Sequence, residues 1–237
     1  MLSRLIVAFL AAAASVQSSS GSGIQALSQV ATVRFSRAFD QQCRWWTANI
    51  SLQFDDIAGV NPVLGFAPPT PYKHLTYTAF GLGAPAPGSL TIQASSPDNA
   101  VFAPYITTGL LTQPAIGIGK DTLSFNMKSI ASGCYAATEN GALAPAIDCT
   151  IRYTGFKAGS EEKVTHDYVY ETGAVLDILG VALQSAQVKT TRFPPSFSNL
   201  ERIEPEVLTA ALPAVQGVTV QMAFDDVAYV ANVQKAE

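Results

Sequence analysis

Apolar and polar residues alternate with a period of two along much of this chain. Ile50, Leu52 and Phe54 alternate with Asn49, Ser51 and Gln53. Leu123, Phe125 and Met127 alternate with Ser124 and Asn126, and Val218, Val220, Met222 and Phe224 do so near the C-terminus. Successive side chains of a strand point to opposite faces, so this is the pattern of strands with one buried side. It predicts strands over 48–55, 75–82, 123–127, 148–156, 163–171, 188–193, 200–203 and 218–224, with a short one begun by Leu90 and Ile92. Only 174–186 has the length of a helix, and its Val and Ile content counts against one.

The 17 glycines and 14 prolines punctuate these segments, most densely over 59–71 and 84–89. Eight to ten strands separated by turns predict an all-β chain, an antiparallel β-sandwich of jelly-roll type. No alternation of strands with long helices supports a doubly wound α/β fold. Residues 18–45 show no clear period. They read as a linker or N-terminal extension, irregular or with a short helix over 24–35, and a propeptide cut after Arg37 or Arg44 is a further option. The sandwich domain is placed at 46–237.

Composition sharpens the compartment. The 237 residues are 48% hydrophobic and only 14% charged, with a net charge of −4 and a mean hydropathy of +0.22. That excludes extensive disorder. No basic stretch suits nucleic acid. Residues 1–17 read as a signal peptide: Arg4, then an apolar run over 5–16 too short to span a bilayer, then small residues suited to cleavage. Ser18–Gly23 is a flexible linker by composition. A membrane anchor is the alternative. No later segment is apolar enough to insert stably, and export to the medium or cell wall is expected.

Three cysteines fit that route. Cys134 and Cys149 flank the turn-forming stretch Thr138-Glu139-Asn140-Gly141 and are expected to pair. Closing such a loop stabilises by roughly 3 kcal/mol in the chain-entropy model. Cys43 is left to be buried, linked to another chain or lost on processing. Asn49-Ile50-Ser51 is a glycosylation sequon with Asn49 on the polar side of its strand.

Leu52-Gln53-Phe54-Asp55-Asp56-Ile57 is echoed by Met222-Ala223-Phe224-Asp225-Asp226-Val227. First and last strands of a sandwich often lie side by side, which would bring Asp55, Asp56, Asp225 and Asp226 together. Clustered carboxylates repel unless a cation or hydrogen bonds satisfy them. Ca²⁺, which takes six to eight oxygens, suits such a place. The alternative is that each pair only terminates a strand.

With PTPYKHLTYTAF at 69–80, TLSFNMKSIASGCYAAT at 122–138 and CTIRYTGF at 149–156, these echoes give an ordered set of short motifs. Over about 46–232 the set resembles a group of fungal secreted proteins with a jelly-roll β-sandwich similar to galactose-binding-like and carbohydrate-binding modules. The resemblance implies packing roles for Tyr72, Leu75, Tyr77 and Phe80 and a disulfide between neighbouring strands at Cys134 and Cys149. It also implies a structural calcium at Asp55 or Asp56 with Asp226.

Catalytic signatures are absent from the sequence. The only histidines are His74 and His166, with no Gly-x-Ser-x-Gly or His-Glu-x-x-His. Gly117-Ile118-Gly119-Lys120-Asp121-Thr122 lacks the first glycine and the Ser/Thr of a phosphate loop and reads as a turn. Nothing selects a carboxylate pair for glycoside hydrolysis. Sugar rings stack on aromatic faces, which makes Trp45, Tyr72, Tyr105 and Tyr135 the candidates; the alternative is that the tyrosines cap the core. The expected function is a secreted, non-catalytic sandwich that binds extracellular or cell-wall carbohydrate. The alternatives are a polysaccharide-active enzyme and a structural or host-interacting protein without a glycan ligand.

Overall fold

The computed structural model describes residues 45–57, 71–83, 92–96, 99–104, 113–138, 145–173, 177–178, 181–182, 186–211 and 218–234. The expected leader, the extension up to Arg44 with Cys43, and Tyr105 lie outside the described residues. Fourteen strands are described and no helix. They are β1 Trp45–Leu52, β2 Leu75–Thr78, β3 Gly81–Gly83, β4 Ala100–Pro104, β5 Ala115–Ile118, β6 Thr122–Thr138, β7 Ala146–Ile147, β8 Cys149–Lys157, β9 Lys163–Tyr170, β10 Asp177–Ile178, β11 Val181–Ala182, β12 Lys189–Arg192, β13 Leu200–Ala210 and β14 Val218–Gln234. Twelve of them form one antiparallel sheet in the order β2-β5-β13-β6-β14-β4-β3, with β1 added on β14, β7 and β12 on β6, and β8 then β9 on β13. β10 and β11 pair with each other.

The spine is the long pair β6 and β14, in register from Val218–Thr138 to Val233–Thr122. Along 122–127 of β6 the strand is present but its facing departs from the expected alternation: Phe125 and Met127 are buried, while Leu123 is exposed and Ser124 is buried in its place. From Ile130 to Ala137 every residue is buried, so this half is covered on both faces, as in strands at the centre of a stack. Gly133 shows why: a Cβ there would stand 2.7 Å from Ile92 Cδ1 and 2.7 Å from Tyr170 Cζ.

The sheet folds back on itself as a sandwich. The β13–β8–β9 wing lies over β6, where the buried Tyr153 hydroxyl of β8 donates to Ser132 Oγ at 2.6 Å. The Cys134–Cys149 disulfide ties β6 to the start of β8. Between the layers, Phe54, Phe125, Tyr153, Tyr170, Phe197, Phe224 and Tyr229 are fully buried. Each such side chain stabilises by about 1.5–3 kcal/mol relative to exposure.

The all-β antiparallel reading holds, with local differences. The 75–82 segment is two strands, because Ala79 takes φ 58° and turns the chain. β6, β13 and β14 run well beyond the alternating stretches that marked them. Residues 130–137 of β6 are covered on both sides and lose the period of two, whereas β13 keeps it, with Ile203, Pro205 and Val207 buried between more exposed neighbours. β4 and β5 had no alternation to reveal them. Within 174–186 the described residues are the strand pair β10 and β11 and the buried, non-helical Ala186, so a helix over that whole segment is overturned; its β-branched residues favour extended backbone.

Candidate functional site

The strand register brings both Asp doublets to one edge of β14, but among the described residues no three of their carboxylates gather into one group. β4 pairs with Gln221–Phe224, and β1 pairs with Val227–Gln234, so the two strands follow one another along the same edge. Asp225 and Asp226 stand at the junction. Against β6, Asp225 faces Ala131 while Ala228 faces Ser129. One extra residue is therefore inserted, and Asp226 absorbs it with φ 44°. β1 ends opposite Val227 at Leu52, and the chain then turns through Phe54 (φ 50°) into Asp55 and Asp56.

The buried Asp225 carboxylate is almost filled with donors. Its Oδ2 accepts from Ser96 N (2.8 Å), Ser96 Oγ (2.9 Å) and Ser95 Oγ (2.9 Å), and its Oδ1 from Asp226 N (2.8 Å). Ser95 Oγ also lies 2.5 Å from Asp226 Oδ2, so two carboxylates share one hydroxyl proton. Burial pushes the Asp225 carboxyl up to about 6; the charge of Asp226 adds to this, and the Ser96 donors oppose it. On the other turn, Asn99 N donates to Asp55 Oδ1 at 3.1 Å. Asp56 accepts from the Tyr72 hydroxyl and from Lys73 Nζ at 2.7 Å. Partial burial works against ionisation of Asp56, but the Lys73 ammonium and the Tyr72 hydroxyl hold its carboxyl below the usual carboxylate range.

A calcium ion at this junction would have to share carboxylates already engaged by the protein. Asp225 Oδ1 and the Asp226 carboxylate retain lone pairs for a cation, whereas Asp56 faces an ammonium. Among the described residues no three His, Cys, Asp or Glu form a metal-holding group. A cation here would therefore lean on hydroxyls and backbone carbonyls, which Ca²⁺ accepts.

Two of the expected sugar-stacking residues are core residues instead. Tyr72 is buried and stacks on Phe54 at 5.6 Å. Tyr135 is buried, donates its hydroxyl to Gln221 Oε1 and meets Phe102 edge-on at 5.6 Å. Burial raises both phenol pKa values. Neither ring offers a face to solvent, which corrects the ligand-binding expectation at Tyr72 and Tyr135. Trp45 opens β1, and its side chain lies outside what is described, as does Tyr105. Trp46 is half-buried, edge-on to His74 at 5.8 Å. Asn49 is exposed in the middle of β1.

A broader surface was not singled out from sequence: the outer side of β9, β8 and β13. The register sets Arg152 between Asp167 and Glu206, Thr154 between Thr165 and Glu204, and Phe156 between Lys163 and Arg202. Arg152 donates to Asp167 through Nε and Nη2, both at 2.7 Å. That contact holds the Asp167 carboxyl low and raises the guanidinium. Arg202 lies 4.1 Å and Lys163 Nζ 4.9 Å from the Phe156 ring centre, cation over π face. Val169 beside them is 60% exposed. The signal that could have found this surface was the polar set of each alternating strand, Thr150, Arg152 and Thr154 on one and Thr165 and Asp167 on the next.

No family model and no curated protein matches this chain. Among solved structures, it is similar to a DUF4465 family protein from Bacteroides caccae ATCC 43185, at 10% identity and a TM-score of 0.45, over 79% of this chain and 99% of that one. It is also similar to the K1 cleaved adhesin domain of Lys-gingipain from Porphyromonas gingivalis W83, at 12% identity and a TM-score of 0.37, over 80% of this chain and 99% of that one. Neither likeness is close enough to carry an assignment, and neither supplies the fungal or carbohydrate-binding grouping that the sequence motifs implied.

Proposed function

We propose that this chain is a non-catalytic extracellular domain that binds a carbohydrate polymer through the outer side of β9, β8 and β13. The observation that carries this reading is the surface itself. Guanidinium, carboxylate and threonine hydroxyl groups lie at strand spacing around one half-buried aromatic ring. A polymer's repeating hydroxyls need donors and acceptors repeated at short intervals, and the Arg152–Asp167 pair supplies both in fixed orientation. The same pairing argues against catalysis there, because a carboxylate held low by a guanidinium is a poor general acid. The disulfide and the expected leader support an extracellular site of action.

The test is retention of the secreted protein on insoluble chitin, β-glucan and cellulose, with calcium or with a chelator. Retention on one polymer is expected, falling at least tenfold when Arg152→Ala and Arg202→Ala are combined. Both side chains are roughly half-exposed on the outer side of the sheet, so the double variant should fold. No retention on any polymer, or equal retention by the double variant, would overturn the reading. The calcium arm bears on the Asp225–Asp226 junction alone. A bound ion there would raise the melting temperature, by about 2.7 kcal/mol of stability at 100-fold excess over Kd, and a chelator without effect on melting would remove calcium from the picture.

A further inference from the structure

We infer that Asn49 carries an N-linked glycan and that this glycan shields the outer side of β1. The inference rests on the extracellular reading above, because the modification needs entry into a secretory compartment. The sequon Asn49-Ile50-Ser51 lies in the middle of β1. Asn49 and Ser51 are exposed, while Ile50 between them packs against the core. The residue to be modified and the hydroxyl required two positions later therefore point away from the protein, and the apolar residue points in. A glycan at Asn49 would displace no packed side chain. Its neighbours across the ladder are short: Val230 opposite Asn49 and Ala228 opposite Ser51.

The location also explains what a glycan would accomplish. The outer side of β1 carries no charge: its sequence is Trp-Trp-Thr-Ala-Asn-Ile-Ser-Leu. The outer side of β9, by contrast, carries Lys163 and Asp167. Charge on an exposed strand discourages association with another chain, and a bulky hydrophilic glycan on β1 would do the same there. It would also leave the β9–β8–β13 surface, in the other layer, free for a ligand.

The step joins the Asn49 side-chain amide nitrogen to the anomeric carbon of an oligosaccharide carried on a lipid pyrophosphate. The C–N bond forms as the sugar–phosphate C–O bond breaks, the lipid pyrophosphate leaves and the amide gives up one proton.

The test is synthesis of the full chain in a eukaryotic secretory host, followed by intact mass before and after an amidase that removes N-glycans. A parallel version carries a proven export leader in place of residues 1–17. Loss of one glycan mass on treatment, with Asn49 converted to Asp, is the expected result. Asn49→Gln and Ser51→Ala should abolish the shift, while Ser51→Thr should keep it. A glycan seen only with the proven leader would leave the site standing and overturn the native export reading. Exported protein of unmodified mass from the proven leader would overturn the site.

Discussion

Phe54-Asp55-Asp56-Ile57 and Phe224-Asp225-Asp226-Val227 are nearly the same four residues, and the fold uses them in two different ways. In both, the phenylalanine is fully buried and a left-handed residue redirects the backbone. In the first copy that residue is Phe54, the chain leaves the sheet, and the following aspartates cap a turn. In the second it is Asp226, the chain stays in β14, and the same two carboxylates sit inside a bulge. Asp56 is roughly half-exposed, while Asp225 is fully buried. Local sequence determined the buried phenylalanine. The neighbours determined the rest: among the described residues β1 pairs with β14 alone, whereas β14 is held between β6 on one side and β4 and β1 on the other. A strand held on both sides absorbs a polar pair as a bulge; a strand held on one side ends there.

The sharpest way to separate the two doublets is pH. The Asp225 carboxyl is raised by burial from 3.8 to about 6. The folded state therefore binds this proton more tightly than the unfolded state. The stability it contributes is fully present below pH 4 and is lost as pH rises through 6. The expected fall between pH 4.5 and pH 7 is about 2 kcal/mol, read from denaturant midpoints across that range. Asp225→Asn should flatten the profile over this window. Asp56 has the opposite sign, since its folded-state value is lowered. Its contribution is lost only on acidification below the normal carboxylate range, so the two doublets titrate in separate windows. A profile unchanged by Asp225→Asn would show that the buried carboxylate is not the group responsible.

The next effect falls on the turn copy. Asn99 is buried and its side-chain Nδ2 donates to Phe54 O (3.2 Å) and Ile57 O (3.1 Å), while its backbone N reaches Asp55. Asn99→Ala leaves both carbonyls without this donor, at a cost of about 1–3 kcal/mol. Asn99→Asp should be worse than Ala, because it sets a carboxylate against two carbonyl oxygens. Thermal melts of the two variants give the order, and Asp tolerated better than Ala would mean that Asn99 does not hold the turn in this way.

These contrasts show what the sequence could disclose. Alternation in 48–55, 148–156 and 163–171 located β1, β8 and β9 to within a few residues, because each keeps one face against water. The far half of β6 gave no such pattern, being covered on both sides. The far half of β14 does alternate, with Val227, Tyr229, Ala231 and Val233 buried, but Ala228 and Val230 on its other side blur the contrast in sequence. The Cys134–Cys149 bridge was legible from its turn-rich spacer. The roles of Tyr72 and Tyr135 were not, because amphipathic rings fit both a core and a sugar site, and only burial tells the two apart. Ser95, Ser96 and Asn99, which satisfy the Asp doublets, lie more than 40 residues from either copy's partner in sequence. No local pattern marks a partner at that distance. The β9–β8–β13 surface depends on register between three strands, which alternation alone leaves open.

The smallest expected effect lies at the most conspicuous ion pair of the junction. Lys73 Nζ and Asp56 Oδ2 are 2.7 Å apart, but both side chains are roughly half-exposed. Water already solvates both charges, so the pair gains little Coulomb energy and restricts two side chains. Lys73→Gln should therefore cost less than about 1 kcal/mol, and the difference from the native protein should shrink further in ~1 M salt, where the screening length falls to about 3 Å. Lys73 also has a left-handed backbone, φ 44°, and its carbonyl accepts from the Tyr229 hydroxyl. Lys73→Gly relieves that φ while removing the ammonium, so it separates the backbone role from the charge. Lys73→Gly more stable than Lys73→Gln would place the residue's importance in its conformation. A salt-insensitive loss above 2 kcal/mol in Lys73→Gln would instead mean that the exposed doublet depends on its cation as strongly as the buried doublet depends on its serines.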